Sequence, residues 1–193
     1  MQTIKLTIEY DGTRYAGWQV QRGVPSIQGT IEAALRRIFS KQIAVIGSGR
    51  TDAGVHSRGQ IAHAKVPKDK IPLKNLLRAL NTYLPDDIRI KTIQQVPQDF
   101  HAQFDAKSKI YRYTIFNNKI DCVFGKRFHW LVTYPLDVSL MRKELLCLKG
   151  RHDFKAFQAK DRKERSSVRI IKSISLKKKG DYLYFEIRGN GFL

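Results

Sequence analysis

Acidic residues and cysteines are scarce in this chain, and long apolar runs are missing. With two cysteines in 193 residues, Cys122 and Cys147, and no CxxC spacing, a disulfide framework or a zinc site is not expected. Most such cysteines are small buried apolar groups, and the sequence leaves the state of these two open. No stretch approaches the roughly 20 apolar residues a membrane span needs. The start, Met1-Gln2-Thr3-Ile4-Lys5, goes directly into alternating residues, without the unbroken apolar segment of a signal peptide. The chain therefore reads as cytoplasmic, with no membrane partner. Low-complexity segments are absent as well.

The shortage of acid leaves a large positive surplus. Against 17 Asp and Glu stand 36 Lys and Arg, a formal net charge of +19. Such a chain attracts polyanions at long range, and nucleic acid is the commonest soluble one. The basic residues do not gather on one amphipathic helix, which argues against a membrane surface. Charge alone is also compatible with ordinary solubilising surfaces.

Periodicity gives an α+β outline. Residues 3–10 alternate as a half-buried strand, closed by the turn Asp11-Gly12-Thr13. A helix is predicted over 26–39, capped by Ser26, with Ile27, Ile31, Ala34, Leu35 and Ile38 on one face. Strands at 43–46 and 60–66, a helix through Leu73, Leu76, Leu77 and Leu80, and a strand at 88–93 complete the first half. This order predicts helices on one face of a largely antiparallel sheet, over residues 1–105. In the second half, 106–193, strands are predicted at 110–116, 128–132, 170–176 and 182–187, with a helix over 140–148. It offers no closing helix and strand, and it ends on the apolar Phe192-Leu193, so it reads as incomplete or truncated. The charged run at 160–165 and the turn Lys177-Lys178-Lys179 read as solvated or RNA-facing.

Two loops carry candidate chemistry. Arg14, Tyr15, Trp18, Gln19, Gln21 and Arg22 bring basic, aromatic and amide groups together, the mixture on which unpaired bases stack. A loop folding its Trp back onto the core fits the same residues equally well. The second loop is Gly47-Ser48-Gly49-Arg50-Thr51-Asp52-Ala53-Gly54, between two predicted strands. Its glycines allow close approach of a ligand to the backbone. Arg50 and Asp52, two apart, point the same way on an extended backbone, and an Arg beside an Asp favours the ionised carboxylate a nucleophile needs. A dinucleotide fingerprint fails, because its third glycine would fall at Asp52; a Walker loop fails for want of Gly-Lys-Ser or Gly-Lys-Thr. His56 and His63 have no partners at metal-ligand spacing. On spacing alone, a bulged hairpin with an Arg–Asp salt bridge explains the loop as well as a catalytic site does.

A resemblance separates the two. Gly49-Arg50-Thr51-Asp52-Ala53-Gly54-Val55-His56 is similar to the signature of the TruA family of tRNA pseudouridine synthases. Tyr10-Asp11-Gly12-Thr13 with Gly17-Trp18-Gln19 resembles the family's N-terminal motif, and Ser26-Ile27-Gln28-Gly29-Thr30-Ile31-Glu32 its first helix. Phe104-Asp105-Ala106 and Lys109-Ile110-Tyr111-Arg112-Tyr113 resemble its central strand, so the likeness runs along the whole chain in family order.

The resemblance implies two ferredoxin-like halves forming a mostly antiparallel sheet with a central cleft, in a homodimer. It implies isomerisation of uridine to pseudouridine at positions 38 to 40, in the anticodon stem-loop of tRNA, without cofactor or metal. By similarity Asp52 is the nucleophile, attacking ribose C1′ or uracil C6. Tyr111 matches the tyrosine that stacks on the target base, and Arg50 the arginine that holds the base out of the helix. Arg14, Tyr15, Trp18, Gln19 and Arg22 would then clamp RNA. Family chains continue past the equivalent of Gly189-Asn190-Gly191-Phe192-Leu193 into a helix whose arginine pairs with that aspartate. A rival of another class is a non-catalytic RNA-binding module or chaperone; an RRM is disfavoured, since no RNP1-like run occurs.

Overall fold

The computed structural model describes residues 1–68, 70–158 and 166–192, which fall into two compact units, Met1–Ala106 and Lys107–Leu193. The charged run at 160–165 lies outside the described residues. Among those described, no helix is long and apolar enough to cross a membrane.

In the first unit the predicted alternation becomes β1 (Gln2–Tyr10), with Ile4, Leu6 and Ile8 fully buried on one face. α1 (Ile27–Phe39) begins where the Ser26 hydroxyl accepts a hydrogen bond from Gly29 N. β2 (Val45–Gly47), β3 (Ser57–Val66), α2 (Leu73–Tyr83) and β4 (Ile88–Val96) follow. All pairings are antiparallel, in the order β2-β3-β1-β4. A βαββαβ chain with this strand order is ferredoxin-like. Ile27, Ile31 and Leu35 of α1, with Leu76 and Leu80 of α2, join Ile4, Leu6 and Ile8 in one core. Both helices thus cover the same face of the sheet, and each wholly buried aliphatic side chain contributes about 1.5–3 kcal/mol.

The second unit comprises β5 (Lys109–Asn117), β6 (Trp130–Val132), α3 (Val138–Leu145), β7 (Gly150–Asp153), β8 (Val168–Lys179) and β9 (Tyr182–Gly189). Its sheet runs β6-β5-β9-β8-β7 and is mixed, because β6 joins β5 in parallel. The β5-β9-β8 order, with α3 between β5 and β8 in sequence, follows the β1-β3-β2 order with α1 between β1 and β2. The two units therefore share this part of their topology. Ile115, Val132, Leu176 and Leu183 form the core, with Met141 and Leu145 of α3 packed against them.

Three departures from the predicted elements have local causes. The strand expected at 128–132 shortens to β6, because Gly125 at φ +78° turns the chain into a 3-10 turn over Lys126–Phe128. The helix expected at 140–148 starts earlier, where Asp137 caps Leu140 N at 2.9 Å, and narrows to a 3-10 turn at Leu146–Leu148. β7 has no apolar alternation to announce it; it is an edge strand, three of whose four residues are exposed.

His63 of β3 is a buried imidazole whose Nδ1 accepts the Ala102 amide at 3.1 Å. Burial, followed by the charges of His101 and Lys65, holds its pKa below the ordinary histidine range. The unfolded chain therefore takes up this proton more readily, and stability present above the ordinary value near 6.5 is lost as pH falls below it. His63→Gln, which keeps an acceptor, is expected to flatten the fall in melting temperature between pH 7 and 5. Equal slopes for variant and wild type would remove His63 from the account.

Candidate active site

Residues 48–56 link β2 to β3 and are tied down on several sides. Beneath the loop, Ser48 N donates to Ile61 O at 2.7 Å, and Gln60 Nε2 to Gly49 O at 2.6 Å. Across it, the Thr51 hydroxyl lies 2.9 Å from the Tyr10 hydroxyl, and Thr51 O accepts Trp18 N at 3.0 Å. Gly54 N donates to Tyr15 O at 3.2 Å, and Gly12 N to His56 Nδ1 at 3.1 Å. Two glycines make this closeness possible. Gly17 sits at φ +96°, and a Cβ there would stand 2.4 Å from Thr51 O. A Cβ on Gly47 would stand 2.6 Å from the Trp18 indole.

The loop at 14–22 is thus the scaffold of the loop at 48–56. Trp18 is 2% exposed and Tyr15 8%, so their rings pack into the core instead of offering faces to bases. Of the two readings of this loop, the one that folds the Trp back onto the core describes where the ring lies. The Tyr15 hydroxyl donates to Asp87 Oδ1 at 2.7 Å, and burial with this bond raises the phenol's pKa. Arg14 Nη2 reaches Asp87 Oδ2 at 2.5 Å, and Asp11 N donates to Asp87 O at 2.9 Å. Asp87, missed in the sequence because it reads as a plain turn residue, anchors residues 11–15 to the start of β4. The exposed Arg14 pair contributes little, whereas stranding the Tyr15 hydroxyl costs about 1–3 kcal/mol. Asp87→Ala should lower the urea midpoint accordingly, while an unchanged midpoint would deny it the anchoring role.

Above this scaffold lies a cleft of about 560 Å³, lined by Ala16, Gln19, Gln21, Arg50, Thr51, Asp52 and Ala53. That volume suits a small-molecule or nucleoside-sized group. Arg50 and Asp52 are both exposed and both face the cleft. Among the described residues, no hydrogen bond or ion pair engages either side chain, so the alternative of a simple Arg–Asp salt bridge is not what the loop forms. Gln19 and Arg22 are exposed, and Gln21 anchors its own loop through Nε2 to Ala16 O at 3.1 Å. A carboxylate without a structural partner, beside a guanidinium in an open cleft, is available to a substrate. Tyr111 lies in the second unit, on β5 opposite Ile187, with its ring 4.7 Å from that of Phe192.

Comparison with known proteins gives this site a context. The tRNA pseudouridine synthase family matches residues 6–105 and 147–193, and the chain belongs to that family. Within it, tRNA pseudouridine synthase A of Moorella thermoacetica is 42% identical over 199 residues, across 100% of this chain and 79% of its own length. The enzyme of the same name from Brevibacillus brevis is 43% identical and that from Acetivibrio thermocellus 41%, each over 193 residues with the same coverage.

Proposed function

We propose that the chain isomerises uridine to pseudouridine in tRNA, with Asp52 as the nucleophile. The observation that carries the reading is the unengaged Asp52 carboxylate, held beside Arg50 at the cleft of a braced loop in a member of this family. The reaction breaks C1′–N1, forms C1′–C5, moves a proton onto N1 and releases one from C5. No electron is gained or lost. Asp52 forms a transient covalent bond to one of the two parts, to C1′ as uracil departs with the C1′–N1 electron pair, or to C6 of the ring before C1′–N1 breaks, while the cleft retains the other part. The uracil then rotates to present C5.

The other roles rest on resemblance. Arg50 holds the target base out of the stem, against an unstacking cost of about a few kcal/mol. Tyr111 stacks on it and assists proton transfer at C5. With Tyr15 and Trp18 in the core, RNA contact in the first unit falls to Arg14, Gln19 and Arg22. The exposed Lys177, Lys178 and Lys179 at the end of β8 contribute backbone contacts. Positions 38 to 40 of the anticodon stem-loop are the expected targets, in a cytoplasmic homodimer. A non-catalytic RNA-binding module is disfavoured, since binding alone has no use for a carboxylate facing phosphates.

Pseudouridine should be mapped by chemical labelling on tRNA carrying uridine at 38 to 40 and on tRNA lacking it there. Product confined to the first supports the positional assignment; product elsewhere in the second would replace it.

A further inference from the structure

Independently of that reading, a second cluster stands out in the second unit. We propose that Asp121, Cys122 and His129 bind one divalent transition-metal ion of borderline softness, zinc foremost. The spacing of the cysteines hides this site, because the third donor is brought in by folding. Among the described residues this is the one group of three His, Cys, Asp or Glu donors that converge, with all donor atoms within 4.8 Å of one another.

The directions of the donors favour a metal over a catalytic relay. In a nucleophile–His–acid relay, nucleophile and acid occupy opposite ring nitrogens. Here Asp121 Oδ1, at 2.7 Å, and Cys122 Sγ, at 3.9 Å, both face His129 Nε2. A single nitrogen bears at most one proton, so it cannot serve both; an ion among the three can. Tetrahedral zinc, with ligands at about 2.0–2.3 Å, sets donor atoms about 3.3–3.8 Å apart, so the O···N pair at 2.7 Å would open by about half an ångström and the S···N pair at 3.9 Å would close slightly on binding. Asp, Cys and His together supply the mixed O, S and N set that such ions accept, and they leave a fourth position for an exchangeable ligand.

The surroundings hold the donors in place. The His129 side chain is 2% exposed, with its ring 5.2 Å from Phe116 and 5.9 Å from Tyr182. Cys122 N donates to Asp121 Oδ1 at 2.9 Å, which turns two successive side chains to the same side. Lys126 Nζ lies 3.6 Å from Asp121 Oδ2, the oxygen not facing His129, and orients the carboxylate as outer partners of metal ligands do. The Tyr182 hydroxyl lies 3.2 Å from the sulfur.

The test is titration of the full chain, reduced with a phosphine, with Co(II) in a weakly coordinating buffer. One Co(II) per chain is expected, with a thiolate-to-metal charge-transfer band and the visible bands of a tetrahedral ion, both removed by Zn(II). Cys122→Ser should abolish the charge-transfer band, and Asp121→Asn should weaken affinity about tenfold or more. Cys147→Ser, at the exposed second thiol, should change neither. Cys122 is only partly buried, so its serine variant is the decisive one, and unchanged circular dichroism certifies its fold. No uptake by the wild type, or a band that survives in Cys122→Ser, overturns the site. Undiminished affinity in Asp121→Asn overturns the three-ligand assignment.

Discussion

Asp52→Asn is expected to bind tRNA as well as the wild type and to form pseudouridine at least about a thousandfold more slowly, the scale on which removal of a nucleophile acts. The reason lies in what Asp52 does not do. Its carboxylate lines the cleft and has no hydrogen-bond or ion-pair partner among the described residues, so the fold does not depend on it. The loop is held by the backbone of Thr51 and Gly54 and by the side chains of Tyr10 and Gln60, all of which the variant keeps. Stability should therefore stay within about 0.5 kcal/mol of the wild type. Affinity should not fall, because the variant removes a negative charge from a surface that faces phosphates. Chromatography of nucleosides from digested tRNA, beside a filter-binding titration, reads both quantities. Joint loss of binding and product would mean that Asn damages the site as a whole.

The second large effect falls on stability. Trp18→Ala should lower unfolding free energy by about 3–5 kcal/mol, the range for emptying a buried aromatic site. The indole is 2% exposed, covers Gly47, and lies 6.4 Å from the Tyr10 ring, whose hydroxyl meets that of Thr51. Its removal opens a cavity directly under the Asp52 loop, so activity at saturating tRNA should fall too. Trp18→Phe, which keeps most of the volume, should recover much of both. Urea unfolding distinguishes this role from base stacking, in which Trp18→Ala would weaken tRNA binding and leave the urea midpoint where it was.

Much of this was legible in the sequence where periodicity and burial coincide. β1, α1 and α2 bury the residues whose spacing predicts them, because each element has one face to cover. β7 was illegible for the same reason: its residues, Gly150-Arg151-His152-Asp153, are mostly exposed on an edge strand paired with β8. The candidate loop at 48–56 could be located from its glycines and its Arg–Asp pair, but composition gives the direction of neither side chain. Tyr15 and Trp18 illustrate the limit. An aromatic–basic loop looks alike whether its rings face RNA or the core, and only the tertiary contact of Trp18 with Gly47 decides between them. Asp87 and the Asp121–Cys122–His129 group depend on partners 72 and 8 residues away, respectively, and no local pattern marks either.

The most direct test of Asp52 uses tRNA carrying tritium at C5 of uridine. Moving the glycosidic bond to C5 expels the hydrogen there, so each completed turnover releases one tritium to water. Wild type and Asp52→Asn should be compared at concentrations that saturate both with tRNA. The account predicts release by the wild type in step with pseudouridine formed, and none above background by the variant. Release by Asp52→Asn at the wild-type rate would contradict it.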